Sequence, residues 1–423
     1  MQFVPTLHKL SNGIPVIIDP MDIATACMSV SFGTGSRDEA LHEFGIAHFL
    51  EHILNNGTAR LPSARAIADY LENLGGTRNA STTSRGVRVY GRILSENIGE
   101  LASVFADMIG HSLFDEKKIE TEKKIITDEL NRRLDDPDTQ MYDFAVERLF
   151  AGSGMAHEIV GTVQNINSFS RDQLIAYAKS HLSAANCIIG ISGKMEDCDK
   201  LLADLERLYG WAPRTPFAPN DALPITHGAW HNRKPGQKNV KLSIAFTDKT
   251  PRDLSGQYQN MCVGKYDMML RRNLNETVRQ KHGLVYSIGL DTLGNENAGV
   301  SIIDTETAPE NLEKCVAQIA RVCRDSLTNG ITESELQRYK NYGKLGDANF
   351  LENAASRRDR LIGFYRKHGV LYDFDAAVKM ADSVAAGDIK KFSMNYFDGD
   401  FSIITQGPEF DADLRKAWID NFQ

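Results

Sequence analysis

The stretch His48-Phe49-Leu50-Glu51-His52 spaces two histidines at i and i+4, with a glutamate at i+3. At about 100° per residue, His48, Glu51 and His52 fall within one arc of roughly 100° on a helix. Ile46, Phe49, Leu50 and Ile53 project from the opposite arc, so a helix here can pack one face and present the other. Two neutral imidazole nitrogens suit tetrahedral zinc, which keeps a position open for water. A carboxylate beside that water can take its proton. The competing reading of the pentad alone is a surface helix with ordinary polar residues.

Residues 117–134 form a second strong helical pattern, with an apolar stripe of Ile119, Ile125, Ile126 and Leu130. Glu120 and Asp128 turn to solvent on this wheel, whereas Glu122 and Glu129 fall inside the stripe. Two carboxylates on a buried face are costly unless something cationic meets them. A zinc ion held by two imidazoles supplies that charge. Salt bridges to arginines elsewhere in the core would also supply it.

A chain of 423 residues, 42% of them hydrophobic, is expected to fold into two domains of about 200 residues each. A net charge of −8 argues against nucleic acid as the main partner. No apolar run approaches about 18 residues, so no membrane span is expected. The start, Met1 to Lys9, has neither the basic and apolar regions of a secretory signal nor an arginine-rich transit pattern. Six scattered cysteines without C-x-x-C spacing read as reduced thiols, which fits a cytoplasmic protein.

The stretch Trp211–Pro224, with four prolines, suits an extended linker near residue 215. The expected division is 1–212, a linker at 213–224, and 225–423. Each half opens on strand-like sequence: Val16–Ile18 and Ala26–Phe32 in the first, Val240–Phe246 in the second. Amphipathic helices and further strands follow, giving an α+β class. The arrangement expected is two domains, each an antiparallel sheet packed with helices on one side.

The H-x-x-E-H pentad is the inverted form of the zincin motif. From Leu10 to Thr58 the chain resembles the N-terminal signature of the M16 metallopeptidases, the family of pitrilysin, insulysin and the mitochondrial processing peptidases. The matching pieces are Leu10–Val16, Gly35–Glu39, Gly45–His52 and Gly57-Thr58. The resemblance implies a third zinc ligand 77 positions after the second histidine, at Glu129, and a further glutamate at Glu122. It therefore implies one Zn²⁺ per chain on His48, His52 and Glu129. Glu122 would be an outer partner that orients a ligand, and Glu51 the general base. It also implies that the two halves arose by duplication.

The second half has no H-x-x-E-H, but its run Val278–Ser287 resembles the family segment carrying an arginine and a tyrosine seven apart. Arg279 and Tyr286 map onto that pair, which binds substrate and stabilises the developing oxyanion. Taken alone, they read as a helical arginine followed by a strand tyrosine. The family's substrate-binding edge strand is matched by Asn79-Ala80-Ser81-Thr82, so Asn79 and Ala80 are expected to contact a peptide backbone by β-augmentation. Arg85 stands where the family carries an acid, and the family's side-chain preference is not carried over.

The activity implied is zinc-dependent endopeptidase cleavage of extended peptides or unfolded segments. Removal of targeting sequences, or a non-catalytic assembly role, are the alternatives. Because both motif sets lie in one chain, the expected assembly is a homodimer enclosing a chamber. A heterodimer with an M16 paralogue is the other arrangement.

Overall fold

The computed structural model describes residues 3–210 and 212–423; Met1, Gln2 and Trp211, the first residue of the proline-rich stretch, lie outside them. Six strands form the first sheet: β1 Thr6–Lys9, β2 Pro15–Pro20, β3 Thr25–Phe32, β4 Thr77–Thr82, β5 Val87–Leu94 and β6 Cys187–Gly193. Five form the second: β7 Ala229–Arg233, β8 Val240–Thr247, β9 Ile288–Gly294, β10 Gly299–Thr307 and β11 Phe401–Gly407. Their orders are β1-β2-β6-β3-β5-β4 and β7-β11-β8-β10-β9. Without the edge strand β1, the two orders are the same. The repeat that residue identity does not reveal is therefore explicit in the topology.

Most pairs are antiparallel, and one pair in each sheet is parallel, β2 with β6 and β7 with β11. The last strand of each sheet arrives after a long helical excursion, which is the kind of crossover a parallel pair requires.

Four helices serve the first sheet before residue 136: α1 Ile46–Leu54, α2 Ala64–Asn73, α3 Ile98–Gly110 and α4 Glu116–Asp135. Val16, Ile18, Met28 and Val30 of the sheet pack with Phe49, Leu50, Phe105 and Ile126 of the helices in one apolar core. In α4 the stripe narrows: Ile125 is 44% exposed. It lies about 120° round the helix from Ile119, outside the buried arc.

Helices also cover the second face of each sheet, beyond the one-sided packing expected. Ile17 and Ile188 pack on Leu361 and Ile362 of the helix Ala354–His368. In the second sheet, Ala245, Ile302 and Ile404 pack on Met141, Ala145 and Val146 of α5, Pro137–Leu149. Two-sided covering explains why β6 and β11 are buried at every residue. It also means the compact units are not consecutive halves. One comprises residues up to Asp136, His157–Asn220 and Gly346–Asp373; the other comprises Pro137–Ala156, Asp221–Leu345 and Phe374–Gln423.

The helix Ala354–His368 is fixed by charge as well as by apolar contact. Arg357 meets Asp19 of β2 with Nε at 2.6 Å, and both side chains are fully buried. Arg358 donates to the Met28 carbonyl at 3.2 Å, and Arg366 to the Ser31 carbonyl at 2.8 Å. Among the described residues no helix is long and apolar enough to cross a membrane.

Candidate metal centre

The chain enters α1 through Gly45, whose φ of +98° favours glycine and whose added Cβ would lie 2.4 Å from the Val160 carbonyl oxygen. No side chain at this N-cap position satisfies the helix N-terminus. Glu39 does so from six residues upstream, accepting the N–H groups of Gly45 and Ala47, each at 2.8 Å. Burial pushes the Glu39 carboxyl up to about 8, against the pull of those two donors.

With its apolar arc in the core, α1 turns His48, Glu51 and His52 toward α4. The Glu129 carboxylate reaches between the imidazoles, 3.8 Å from His48 Nε2 and 3.7 Å from His52 Nε2. The three ligand atoms lie within 4.8 Å of one another. Neighbouring ligand atoms around tetrahedral zinc lie about 3.3 Å apart, given metal–ligand bonds of about 2.0–2.1 Å. The two Glu129 contacts exceed that spacing by about half an ångström. Two imidazoles and one carboxylate are also a donor set that leaves one position open.

Protonation states favour a cation. Burial, then the neighbouring His52 and Arg133, lowers His48 to about 3, so its imidazole is neutral. Its Nδ1 is buried without a hydrogen-bond partner among the described residues. Glu122 Oε2 lies 2.8 Å from His52 Nδ1, and Glu122 Oε1 accepts from Asn56 Nδ2 at 3.0 Å. That contact places the His52 proton on Nδ1 and leaves the Nε2 lone pair facing Glu129. Burial opposes ionisation of Glu122, but the His52 and Asn56 contacts outweigh it and hold the carboxyl low. Burial also depresses His52, yet Glu122 and the other two carboxylates raise it overall. A metal would replace the positive charge those acids attract.

Glu51 sits one turn from His48 on the same face, beside Thr82 at the end of β4. Burial raises its carboxyl, with Thr82 and His52 pulling the other way. A carboxyl shifted toward neutrality is suited to taking and returning a proton.

The strand β4 is the free edge of its sheet. Within it Ala80 is buried in the core, and Asn79 Oδ1 accepts the Ala80 N–H at 2.9 Å. Arg85 lies in the exposed turn between β4 and β5. In the second unit, Arg279 belongs to the π-helical segment Asn275–Lys281, and its guanidinium lies 5.6 Å from the Tyr286 ring centroid. Tyr286 is 87% exposed, so its phenol is open to a ligand.

The structure thus gathers His48, Glu51, His52, Glu122 and Glu129 in one place, and pairs Arg279 with Tyr286 in another. Sequence reasoning assigned no role to Glu39, Asn56 or Thr82. Glu39 lay within a quoted family match, and a carboxylate shortly before an uncapped helix was its available signal.

A two-unit α+β protein with an inverted His-His-Glu centre is of the metallopeptidase type in fold and donor set. Residues 17–163 match the family model described as Insulinase (Peptidase family M16), and residues 168–342 match that of the Peptidase M16 inactive domain. The chain belongs to the M16 peptidase family. It is 26% identical to the "Uncharacterized zinc protease YmxG" of Bacillus subtilis, over 95% of this chain and 98% of that one. It is 29% identical to a "Probable mitochondrial-processing peptidase subunit beta" of Arabidopsis thaliana, over 47% of this chain and 38% of that one. Among solved structures, a "peptidase M16 inactive domain" from Pseudomonas fluorescens superposes with a TM-score of 0.86 at 18% identity, covering 97% of this chain and 99% of that one.

Proposed function

We propose that the chain is a zinc-dependent endopeptidase that cleaves extended peptides or unfolded segments. The observation that carries this reading is the convergence of His48, His52 and Glu129, their ligand atoms within 4.8 Å, beside a buried carboxyl at Glu51. Those three residues would hold zinc, which supplies a Lewis acid for the peptide carbonyl and for water. Glu122 orients His52 through Nδ1. Glu51 takes the proton of the attacking water and passes it to the leaving amine. The edge strand β4 offers main-chain pairing to an extended peptide, with Asn79 and Ala80 at the point of contact. Tyr286 and Arg279 form a separate exposed pair that can hydrogen-bond a peptide carbonyl.

The test is cleavage of quenched peptides by the purified chain, with metal content measured alongside. Glu51→Gln should keep zinc and the melting temperature while kcat falls by roughly 10³-fold. A Glu51→Gln rate close to wild type overturns the mechanism. Similarity to a processing-peptidase subunit supports the narrower reading that targeting sequences are removed; sequencing the products distinguishes the two. Retention of His48, Glu51, His52 and Glu129 speaks against a non-catalytic assembly subunit. Both motif sets lie in one chain, which favours a homodimer, testable by light scattering. The six unpaired cysteines, five of them buried, support a reducing, cytoplasmic setting.

A further inference from the structure

Side chains of β4 and β5 alternate between the two faces of the first sheet. Ala80 and Val89 enter the core. Their neighbours Thr77, Asn79, Tyr90 and Arg92 face the other way, onto a cavity of about 650 Å³. The helix Ala354–His368 walls that cavity with Arg358 and Asp359. Asp359 is shared by two guanidiniums, Arg88 at 3.1 Å and Arg358 at 2.8 Å. The Tyr90 ring has Arg88 4.5 Å and Arg358 5.7 Å from its centroid. Arg92 sits across from Thr77 in the sheet register and donates to the Thr25 hydroxyl at 2.9 and 3.0 Å. Among the described residues it meets no carboxylate. The remaining acid of the lining, Glu352, is exposed.

We propose that this cavity is a substrate subsite for an acidic side chain, with Arg92 as its specificity-determining residue. The proposal rests on the peptidase reading and on β4 as the strand a peptide joins. A peptide extended along that edge sends alternate side chains to opposite faces. One set points to the side of Glu51 and the metal ligands. The other set passes Asn79 into the cavity. A glutamate or aspartate there pairs with Arg92 and leaves the Arg88–Asp359–Arg358 cluster intact. A lysine meets guanidiniums first and is disfavoured by like charge.

The test uses one peptide sequence carrying Glu, Gln or Lys at each position in turn around the cleaved bond. Affinity is read by fluorescence anisotropy on the Glu51→Gln chain, and kcat and KM on the wild type. At one position the Glu peptide should bind roughly fivefold more tightly than the Gln peptide. The gain should lie in KM rather than kcat and shrink with added salt. Arg92→Gln should erase the Glu/Gln ratio without weakening the Gln peptide, and Arg92→Lys should restore part of it. Equal affinities at every position, or a ratio that survives Arg92→Gln, overturn the subsite. Cleavage without any acidic preference leaves the peptidase reading standing while removing the subsite. An acidic preference in binding with no wild-type cleavage does the reverse.

Discussion

Two helices hold the same place in the chain order of the two halves, and only one of them turns a buried acid toward an imidazole. α4 and the helix Glu333–Glu352 are each 20 residues long, and each leads from its sheet's edge hairpin toward the last strand. The fourth residue of each is apolar and buried, Ile119 in one and Leu336 in the other. The seventh is buried too, but it is Glu122 in one and Tyr339 in the other. Glu122 faces His52 and Asn56. Tyr339 packs in the second core, its hydroxyl without a partner among the described residues.

The slot between β3 and β4, and its counterpart between β8 and β9, repeats the contrast. In the first half it holds α1 with the H-x-x-E-H pentad. In the second it holds the helix Gln257–Leu274, which buries Tyr266, Met269 and Leu270 instead. One scaffold occurs twice and the His-His-Glu group once. On these two helices the buried acid stands where an imidazole faces it, and the fold alone confers no activity.

If the second half contributes through Arg279 and Tyr286 alone, Tyr286→Phe should lower kcat by roughly 10²-fold. Because that side chain is exposed, the melting temperature should not move; unchanged turnover would return Tyr286 to a surface role. Glu122→Gln removes the acceptor that orients His52 and should weaken zinc affinity roughly tenfold or more, read by competition with a chromophoric chelator. Wild-type affinity in that variant would separate Glu122 from the centre. The smallest effect is expected at the matching position of the other helix. Tyr339→Phe discards an unpartnered buried hydroxyl and should change stability by less than about 1 kcal/mol in denaturant melts. A large loss there would show that Tyr339 has a polar role the comparison denies it.

Much of this was legible in the sequence where period and burial agree. Spacings of three and four residues placed His48, Glu51 and His52 on one face, and the wheel of α4 turned Glu122 and Glu129 inward. What those acids meet was not legible from α4 itself, and the family resemblance was needed to pair them with α1. Ile125 failed because apolar character alone did not say where the stripe ends. The helices Pro137–Leu149 and Ala354–His368 were beyond local reading, since which sheet a helix covers is decided by tertiary packing. Arg357 shows the same limit: its partner Asp19 lies 338 residues away. Glu39 was missed because its capping bonds span six and eight residues, outside the spacing that local cap rules inspect.

The central claim is that α1 and α4 together hold one zinc ion per chain. Elemental analysis of the purified protein, wild type beside His48→Ala/His52→Ala, tests it most directly. The account predicts one zinc per wild-type chain and none in the double variant, with both chains folded by circular dichroism. A wild-type chain that takes up no zinc, or a double variant that retains it in full, would contradict it.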